Sequence, residues 1–224
     1  MSPASDPDPP AAGIACDTPP EREGERARWN RKYAERGVDA LRRSPAEWLA
    51  DNEDLLVGAP GRRALDIACG DGRNAGYLAK LGFTVDAVDI SDVAVAALRA
   101  AAAELQASVN SLRIDLEGEP LPAADYDVIV QFNYLQRSLL PVLPSALAPG
   151  GMLIVETMTR AHADHVASPM DARFLLEPGE LRTAFPELEI LRYREGVFRR
   201  GNRHRALASL VARHRHAADP PPTP

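Results

Sequence analysis

LDIACGDGRN, residues 65–74, decides the fold, because it joins an apolar strand to a helix through a turn that carries two glycines. The run RRALDIA at 62–68 is typical of a strand that is buried on both faces of a parallel sheet. An unpaired carboxylate in such a strand is costly, so Asp66 is expected to have a partner. Gly70 and Gly72 allow a tight turn and a close approach of the backbone to a ligand.

The rest of the chain alternates predicted helices and strands. A helix is predicted from about Arg73 to Gly82, FTVDAVD forms a second strand, and Ser91 caps an alanine-rich helix that runs to about Gln106. Further strands are predicted at 111–116, 126–133, 151–158, 188–198 and 204–213. The last two are so close in sequence that they are expected to form an antiparallel hairpin. The pattern predicts an α/β fold: a Rossmann-like, doubly wound, seven-stranded and mostly parallel sheet with a C-terminal antiparallel hairpin.

Three more helices complete the predicted organisation. GERARWNRKYAER at 24–36 is a charged amphipathic helix, LLPVLPSALAPGG at 139–151 contains a helix whose start its prolines leave open, and GELRTAF is a short helix. Residues 25–213 are therefore predicted to form one domain with an N-terminal lid helix. The flanking segments 1–24 and 214–224 are rich in Pro, Asp and Ala and are expected to be disordered tails.

Composition limits the class of protein. No apolar run is long enough to span a membrane, and no basic flank leads into an apolar stretch at the N-terminus, so a cytoplasmic protein with no membrane partner is expected. The two cysteines, Cys16 and Cys69, argue against a disulfide framework. A formal net charge of −6 argues against a nucleic-acid partner. A monomer or a homodimer is expected.

Three acidic residues at strand ends indicate the ligand. In a doubly wound sheet, ligands bind beyond the carboxyl ends of the strands at the point where the strand order reverses, which is where CGDGRN falls. A dinucleotide would bring its pyrophosphate to this turn, and the carboxylate of Asp66 would repel it. Asp89 can accept hydrogen bonds from ribose hydroxyls, and Asp115 can accept one from an adenine amino group. A ligand with a positive charge, such as an ammonium, would instead be attracted by Asp66. An ammonium, a ribose and an adenine together describe S-adenosylmethionine.

The motifs also resemble a known family. LDIACGDGRN, VDAVDIS, RIDL, YDVIVQFNYL and LAPGGMLIVET resemble the successive motifs of class I S-adenosylmethionine-dependent methyltransferases. Within that superfamily, GRNAGYLAKLGFTVDAVD, FLLEPGELRTAFPELEILRYRE and ALASLVARH are similar to the TehB-type tellurite-resistance methyltransferases, although the hairpin loop is shorter here and QFNYLQR departs from their pattern. Ala68 stands where the family has the first glycine of the turn.

The motifs and the resemblance assign two groups of site residues. The residues predicted to bind the cofactor are Trp29, Tyr33, Asp66, Ala68, Cys69, Gly70, Gly72, Arg73, Asn74, Asp89, Ile90, Ser91, Asp115, Leu116, Gln131 and Phe132. The residues predicted to act on the substrate are Tyr134, Arg199, Arg200 and Arg205. For Tyr134, packing against a helix is an equally good interpretation, and the arginines could instead keep a solvated hairpin from pairing with other edges.

Several further residues are assigned to the substrate side of the pocket. Asn133 and Arg137 follow the fourth strand, Glu156 and Thr157 end the fifth and are expected to face the pocket, and Arg173 and Phe174 lie in the segment that the family folds near the substrate. His162 and His165 lack a third ligand, so no metal is predicted.

The chemistry expected is an in-line displacement that depends on positioning and desolvation more than on an acid or a base. The predicted function is methyl transfer to a small-molecule nucleophile such as tellurite, another chalcogen oxyanion, or a thiol. Three alternatives stay open: a nicotinamide-dependent reductase on the same sheet, a noncatalytic S-adenosylmethionine-binding partner of another methyltransferase, and a methyltransferase that acts on RNA or protein.

Overall fold

The structure is a computed structural model that describes residues 20–57, 63–165, 170–200 and 203–215. Most of the two predicted tails lies outside the described residues, namely 1–19 of the first and 216–224 of the second. Cys16 and the two residues at the tip of the hairpin also lie outside them. In the described part of the chain, no helix is both long enough and apolar enough to cross a membrane.

One seven-stranded sheet forms the centre of the fold, in the order β3-β2-β1-β4-β5-β7-β6. The first five strands run parallel, and β7 is antiparallel to both β5 and β6. The strands are β1 Arg63–Ile67, β2 Thr84–Asp89, β3 Val109–Arg113, β4 Tyr126–Phe132, β5 Leu147–Met158, β6 Leu188–Arg200 and β7 Arg203–His214. The predicted doubly wound sheet with a C-terminal antiparallel hairpin is confirmed.

Helices and helical turns connect the strands. The α-helices are α1 Pro20–Arg36, α2 Glu47–Ala50, α3 Glu53–Leu56, α4 Arg73–Lys80, α5 Asp92–Glu104, α6 Leu143–Ala146 and α7 Glu180–Thr183. The 3-10 turns are Leu140–Val142, Arg160–His165 and Ala172–Phe174. One apolar cluster includes Leu78 of α4 and Leu98 of α5, and a second, which contains Leu143 of α6 and Leu181 of α7, lies on the other face.

The ends of the elements agree with the sequence signals where those signals are local. Ser91 caps α5, because its hydroxyl accepts a hydrogen bond from the amide of Ala94. Gly82 follows α4 with φ 91°, the left-handed conformation expected of a glycine that ends a helix. Both predicted boundaries are confirmed.

Several boundaries differ from prediction. The predicted helix at 139–151 is reduced to a 3-10 turn and α6, because Pro141 and Pro144 lack the amide hydrogens that a longer helix needs. β3 ends at Arg113, so Asp115 lies after the strand. α1 begins at Pro20, since proline fits the first turn of a helix. β7 extends to His214, which pairs with β6 beyond the predicted domain end.

Candidate cofactor and substrate site

A cavity of about 590 Å³ lies at the carboxyl ends of the parallel strands, beside the point where β1 separates β2 from β4. Its walls come from the glycine turn after β1, the ends of β2, β4 and β5, the loop after β3, and helix α1. Pockets of this size hold ligands the size of a cofactor with a small substrate. The position at the switch point is the one expected from the topology.

Asp66 lies behind the wall of this cavity and is only 1% exposed. One of its oxygens accepts a hydrogen bond of 2.9 Å from the amide of Ala75, in the first turn of α4. Because the N-cap of α4 is Gly72, which has no side chain, this carboxylate satisfies an amide that would otherwise be orphaned. The other oxygen, Oδ1, has no hydrogen-bond partner among the described residues. The hydrogen-bond partner of Asp66 in the structure is thus the backbone of the first turn of α4.

Burial raises the pKa of Asp66 to about 8, and the hydrogen bond from Ala75 opposes this rise only in part. In an unfolded chain an aspartate has a pKa of about 3.9. Between about pH 4 and pH 8, Asp66 therefore binds a proton in the folded state that it does not bind in the unfolded state. We expect the stability of the ligand-free protein to fall as the pH rises through this window, by up to about 1.4 kcal/mol per pH unit. Urea unfolding at pH 5, 6, 7 and 8 measures it.

Asp66→Asn is the matched variant for this prediction, because the amide resembles the neutral acid and still accepts the hydrogen bond from Ala75. We expect this variant to lose most of the pH dependence between pH 5 and pH 8. An unchanged slope in Asp66→Asn would assign the dependence to other groups.

Asp89 ends β2 and lines the cavity. Its two oxygens accept hydrogen bonds from the amides of Gly70, at 2.8 Å, and Ser91, at 2.9 Å. A carboxylate offers about four acceptor positions, so each oxygen keeps capacity for one further donor. Burial raises the pKa of Asp89, and the amides of Ser91 and Gly70 oppose this. The arrangement presents a rigid pair of acceptors to the cavity.

The turn between β1 and α4 carries backbone conformations that favour glycine. Ala68 has φ 52° and Gly70 has φ 58°. A Cβ built on Gly70 would lie 2.5 Å from the hydroxyl oxygen of Tyr33. The missing side chain thus makes room for α1 to cover the turn closely.

Helix α1 forms a wall of the cavity through Trp29 and Tyr33, whose ring centroids are 5.9 Å apart. Asn30 fixes the helix to the start of α5: its side-chain oxygen accepts a hydrogen bond from the hydroxyl of Ser91, and its amide donates to Asp92. Burial strongly raises the pKa of Tyr33, so its phenol remains protonated and available as a donor. The predicted lid position of α1 agrees with these contacts.

Most residues predicted to contact the cofactor line the cavity. They are Trp29, Tyr33, Ala68, Cys69, Gly70, Arg73, Asn74, Asp89, Ile90, Asp115, Leu116 and Phe132. Asp115 lies in a tight turn and accepts a hydrogen bond of 3.1 Å from the amide of Glu117. Asn74 also accepts one from the amide of Ala46, which fixes the segment before α2 to α4. Burial raises the pKa of the Cys69 thiol, so this residue packs as a neutral group.

The side chains of three other predicted cofactor residues lie away from the cavity, as Asp66 does. A Cβ on Gly72 would point at Leu98, so this glycine serves packing against α5. The hydroxyl of Ser91 is engaged in capping and in the contact with Asn30. Gln131 is fully buried and donates to the backbone oxygen of Tyr134. The prediction that four residues contact the cofactor directly is therefore corrected. Their side chains support the wall of the cavity instead: Asp66, Gly72, Ser91 and Gln131.

The predicted substrate residues of the hairpin are separated by the structure. Arg205 lines the cavity and donates a hydrogen bond of 3.3 Å to the side-chain oxygen of Asn133. Arg199 is exposed and belongs to β6, the edge strand, and it is not among the described residues that line the cavity. Arg199 pairs in register with His204 of β7. Arg199 thus lies away from the cavity, contrary to expectation, whereas Arg205 lines it and its contact with the substrate stays a prediction. The side chain of Arg200 lies outside the described part of the structure.

Six cationic side chains line the cavity, and three of them are in ion pairs, while the ammonium of Lys32 lies over the ring of Trp29. Arg28 forms an ion pair with Glu25, while Arg36 and Arg43 approach Asp71 at 3.8 and 2.8 Å. By contrast, no described carboxylate lies within ion-pair distance of Arg73 or Arg205. Burial lowers the pKa of Arg73, which remains a cation because a guanidinium begins from a very high value. Arg73 and Arg205 thus present guanidinium N–H donors to the cavity that no described carboxylate engages.

In and after β4 and β5, several residues assigned to the substrate are engaged by other parts of the protein. Arg137 donates two hydrogen bonds to Glu180 and others to backbone oxygens, so it braces α7. Glu156 accepts hydrogen bonds from Ser209 and Arg194 and is not among the lining residues. Tyr134 lines the cavity, but its hydroxyl is hydrogen-bonded to Gln136.

The last three residues assigned to the substrate side lie in different places. Thr157 is buried away from the cavity, and Arg173 is exposed and pairs with Asp171. Phe174, as predicted, lines the cavity.

Sequence reasoning missed other residues of the wall. Asp71 in the glycine turn lies within ion-pair distance of Arg36 and Arg43, and it was not predicted as a site residue. A second carboxylate in this turn was a signal that could have identified it. His162, weighed only as a metal ligand, lines the cavity together with Met158 and Met170. Among the residues that the structure describes, no three His, Cys, Asp or Glu side chains are grouped so as to hold a metal ion.

The residues present fit S-adenosylmethionine. The free acceptor positions of Asp89 match a pair of ribose hydroxyls. Burial keeps Asp66 mostly neutral near pH 7 in the ligand-free protein, and an ammonium bound in front of the turn would favour its ionised form. Arg73 supplies a cation for a carboxylate. Asp89 alone does not separate this cofactor from a nicotinamide dinucleotide, because a carboxylate near this position also binds the ribose of a dinucleotide.

Comparison with known proteins agrees with this geometry. The family model described as "Tellurite resistance protein TehB" matches residues 52–209, more than half of the chain. The chain is 35% identical over 143 residues to Hemagglutinin 1 of Eikenella corrodens, covering 60% of this chain and 46% of the relative. It is 27% identical to the probable S-adenosyl-L-methionine-dependent methyltransferase TehB of Haemophilus influenzae strain 10810, covering 60% of this chain and 49% of the relative.

The chain thus spans about half the length of these curated relatives. The crystal structure of TehB from Haemophilus influenzae superposes with a TM-score of 0.62 at 23% identity, covering 73% of this chain and 62% of that one, which shows a shared fold. The fold, the strand-end acids and the family match lead to one assignment: the chain belongs to the TehB family of S-adenosylmethionine-dependent methyltransferases.

Proposed function

We propose that this chain transfers a methyl group from S-adenosylmethionine to a small anionic nucleophile, an oxyanion such as tellurite or a thiolate. The observation that carries the proposal is the pair of cavity arginines, Arg73 and Arg205, that have no carboxylate partner among the described residues. S-adenosylmethionine has one carboxylate, which we assign to Arg73 because this residue begins α4 directly after the glycine turn. Arg205 then remains for an anion that the cofactor does not provide.

The surroundings of Arg205 support an acceptor subsite. Asn133, its hydrogen-bond partner, has φ 55°, a conformation that costs energy for a residue other than glycine. Met158, His162 and Phe174 also line the cavity, so the subsite combines one cation with apolar and neutral walls. Such a wall removes water from an anion, which makes the anion a stronger nucleophile.

The reaction needs little proton transfer. The cofactor supplies a methyl group bound to a sulfonium, and displacement forms the bond from methyl carbon to acceptor while the carbon–sulfur bond breaks and its electrons remain on sulfur. An acceptor that arrives as an anion carries no proton to remove, so the protein positions and desolvates it. This agrees with a cavity in which Tyr33 stays protonated and burial lowers the pKa of His162.

Calorimetric titration with S-adenosylhomocysteine, and separately with NADH, tests the cofactor assignment first. We expect micromolar binding of S-adenosylhomocysteine and none of NADH. Transfer of a tritiated methyl group to tellurite, selenite and a panel of thiols then tests the acceptor class. Binding without transfer to any of these, or to bulk cell RNA and protein, would favour a noncatalytic cofactor-binding partner, and binding of NADH alone would overturn the proposal.

Two finer proposals accompany this function. Tellurite resistance is proposed for the cell that makes the protein, since the acceptor subsite suits a chalcogen oxyanion. A cytoplasmic location is proposed because Cys69 is a free, buried thiol, as expected in a reducing compartment.

A further inference from the structure

His162 lies in the 3-10 turn Arg160–His165 that follows β5 and packs beside β7. The residue is only 4% exposed, yet it lines the cavity together with Asn133 and Arg205. It is therefore a buried polar ring next to the cation that we assign to the acceptor.

The hydrogen bond that His162 makes determines its tautomer. The amide of Ala206 lies 3.3 Å from Nδ1 of the ring. A backbone amide can only donate, so Nδ1 accepts and carries no proton. The proton of the neutral ring is then on Nε2, and this atom has no hydrogen-bond partner among the residues that the structure describes.

The charge of the ring follows from its surroundings. Burial lowers the pKa of His162, and the positive charge of Arg205 and the nearby His165 lower it further. The ring is thus neutral at physiological pH. Protonation of Nδ1 would also break the hydrogen bond from Ala206, which adds to the cost of the charged form.

We propose that His162 contacts the methyl acceptor and selects it, donating a hydrogen bond from Nε2 to an oxygen of the bound anion beside Arg205. This inference rests on the proposed function and deepens it by separating the two acceptor classes. An oxyanion has an oxygen that accepts this hydrogen bond while another atom receives the methyl group. A simple alkyl thiolate has only its sulfur, so it gains little from the ring.

The same geometry excludes His162 as a general base. Nε2 already carries the proton, and Nδ1 is engaged with Ala206, so the ring has no free lone pair in the cavity. It can orient an acceptor that is already an anion, and it cannot take a proton from a neutral one.

Two substitutions distinguish contact with the acceptor from a merely structural role. In His162→Asn, the side-chain oxygen lies near the position of Nδ1 and can still accept from Ala206, but the donor to the cavity is lost. In His162→Gln, the longer side chain returns an N–H donor near the position of Nε2. The readouts are calorimetric binding of selenite to the complex with S-adenosylhomocysteine, KM and kcat for selenite and for an alkyl thiol, and the melting temperature.

For His162→Asn we expect selenite affinity about 10- to 100-fold weaker, with a matching rise in KM, as for the loss of a hydrogen bond to a charged group. Binding of S-adenosylhomocysteine and KM for the thiol should change less than about twofold, and His162→Gln should recover part of the selenite affinity. A normal His162→Asn with a defective His162→Gln would assign the ring to structure and overturn the inference. So would a wild-type complex that binds no selenite, whereas failure of S-adenosylhomocysteine to bind would overturn the proposed function itself.

Discussion

Asp89→Ala is expected to weaken the binding of S-adenosylhomocysteine about 30- to 1000-fold. The substitution removes the two acceptor positions that the carboxylate presents to the cavity, and two charge-assisted hydrogen bonds contribute about 2 to 4 kcal/mol. It also leaves the amides of Gly70 and Ser91 without their acceptor, so the glycine turn loses its support from β2. Calorimetric titration measures the affinity, and urea unfolding measures the accompanying loss of stability.

Asp86→Ala is the matched control for this experiment. Asp86 belongs to the same strand and accepts hydrogen bonds from the hydroxyl of Tyr126 and the side chain of Asn110, but it does not line the cavity. We expect this variant to lose stability while its affinity for S-adenosylhomocysteine remains within about twofold of the wild type. If Asp89→Ala is too unstable to titrate, Asp89→Asn keeps one acceptor and is expected to bind more weakly than Asp86→Ala. Equal affinities in the variants of Asp86 and Asp89 would remove Asp89 from the ribose site.

The position of most predicted cofactor residues around the cavity could be foreseen because the signals are local. The strand, the glycine turn and the first residues of α4 are contiguous, so the stretch from Asp66 to Asn74 fixes which side chains meet. Asp89 was predictable for a similar reason: it ends β2, and the carboxyl ends of neighbouring parallel strands meet at one edge. The sequence could not show that Asp66 turns away from the cavity, because that depends on where the amide of Ala75 points.

The substrate half could not be predicted to the same degree, because it depends on contacts between distant segments. Arg137 has the type and position of a substrate residue, yet Glu180, which lies 43 residues later, takes its guanidinium. Glu156 ends a central strand, yet Ser209 and Arg194 of the hairpin engage it. No pattern within the chain foretells these partners, since the first depends on where α7 lies and the second on the register of β5 against β7.

The arginines of the basic hairpin lie in different surroundings although they belong to one pair of strands. Its arginines are equivalent by composition, and side chains alternate between the two faces of a strand. The strand directions bring Arg205 to Asn133 and to the cavity, while Arg199 lies exposed on β6. We therefore expect Arg205, more than the charge of the hairpin as a whole, to affect binding of the acceptor.

Arg205→Met is accordingly expected to raise KM for tellurite or selenite about 10- to 100-fold, the effect of losing a charge-assisted hydrogen bond to an anion. Methionine keeps much of the apolar stem, so packing beside Asn133 and Phe174 should change little. Affinity for S-adenosylhomocysteine should stay within about twofold of the wild type, because Arg73 and not Arg205 is assigned to its carboxylate. Steady-state transfer of the tritiated methyl group, with calorimetry of the cofactor product, measures both.

Arg203→Met is the control, since Arg203 lies two residues earlier on β7, is exposed, and is not among the residues that line the cavity. We expect its KM to equal that of the wild type. Arg205→Lys should recover only part of the affinity, because an ammonium keeps the charge but loses the planar pair of donors that an oxyanion binds best. Equal KM values for Arg205→Met and Arg203→Met would mean that the hairpin arginines act only as a solvated surface, and the acceptor would then have to be held by the walls of the cavity alone.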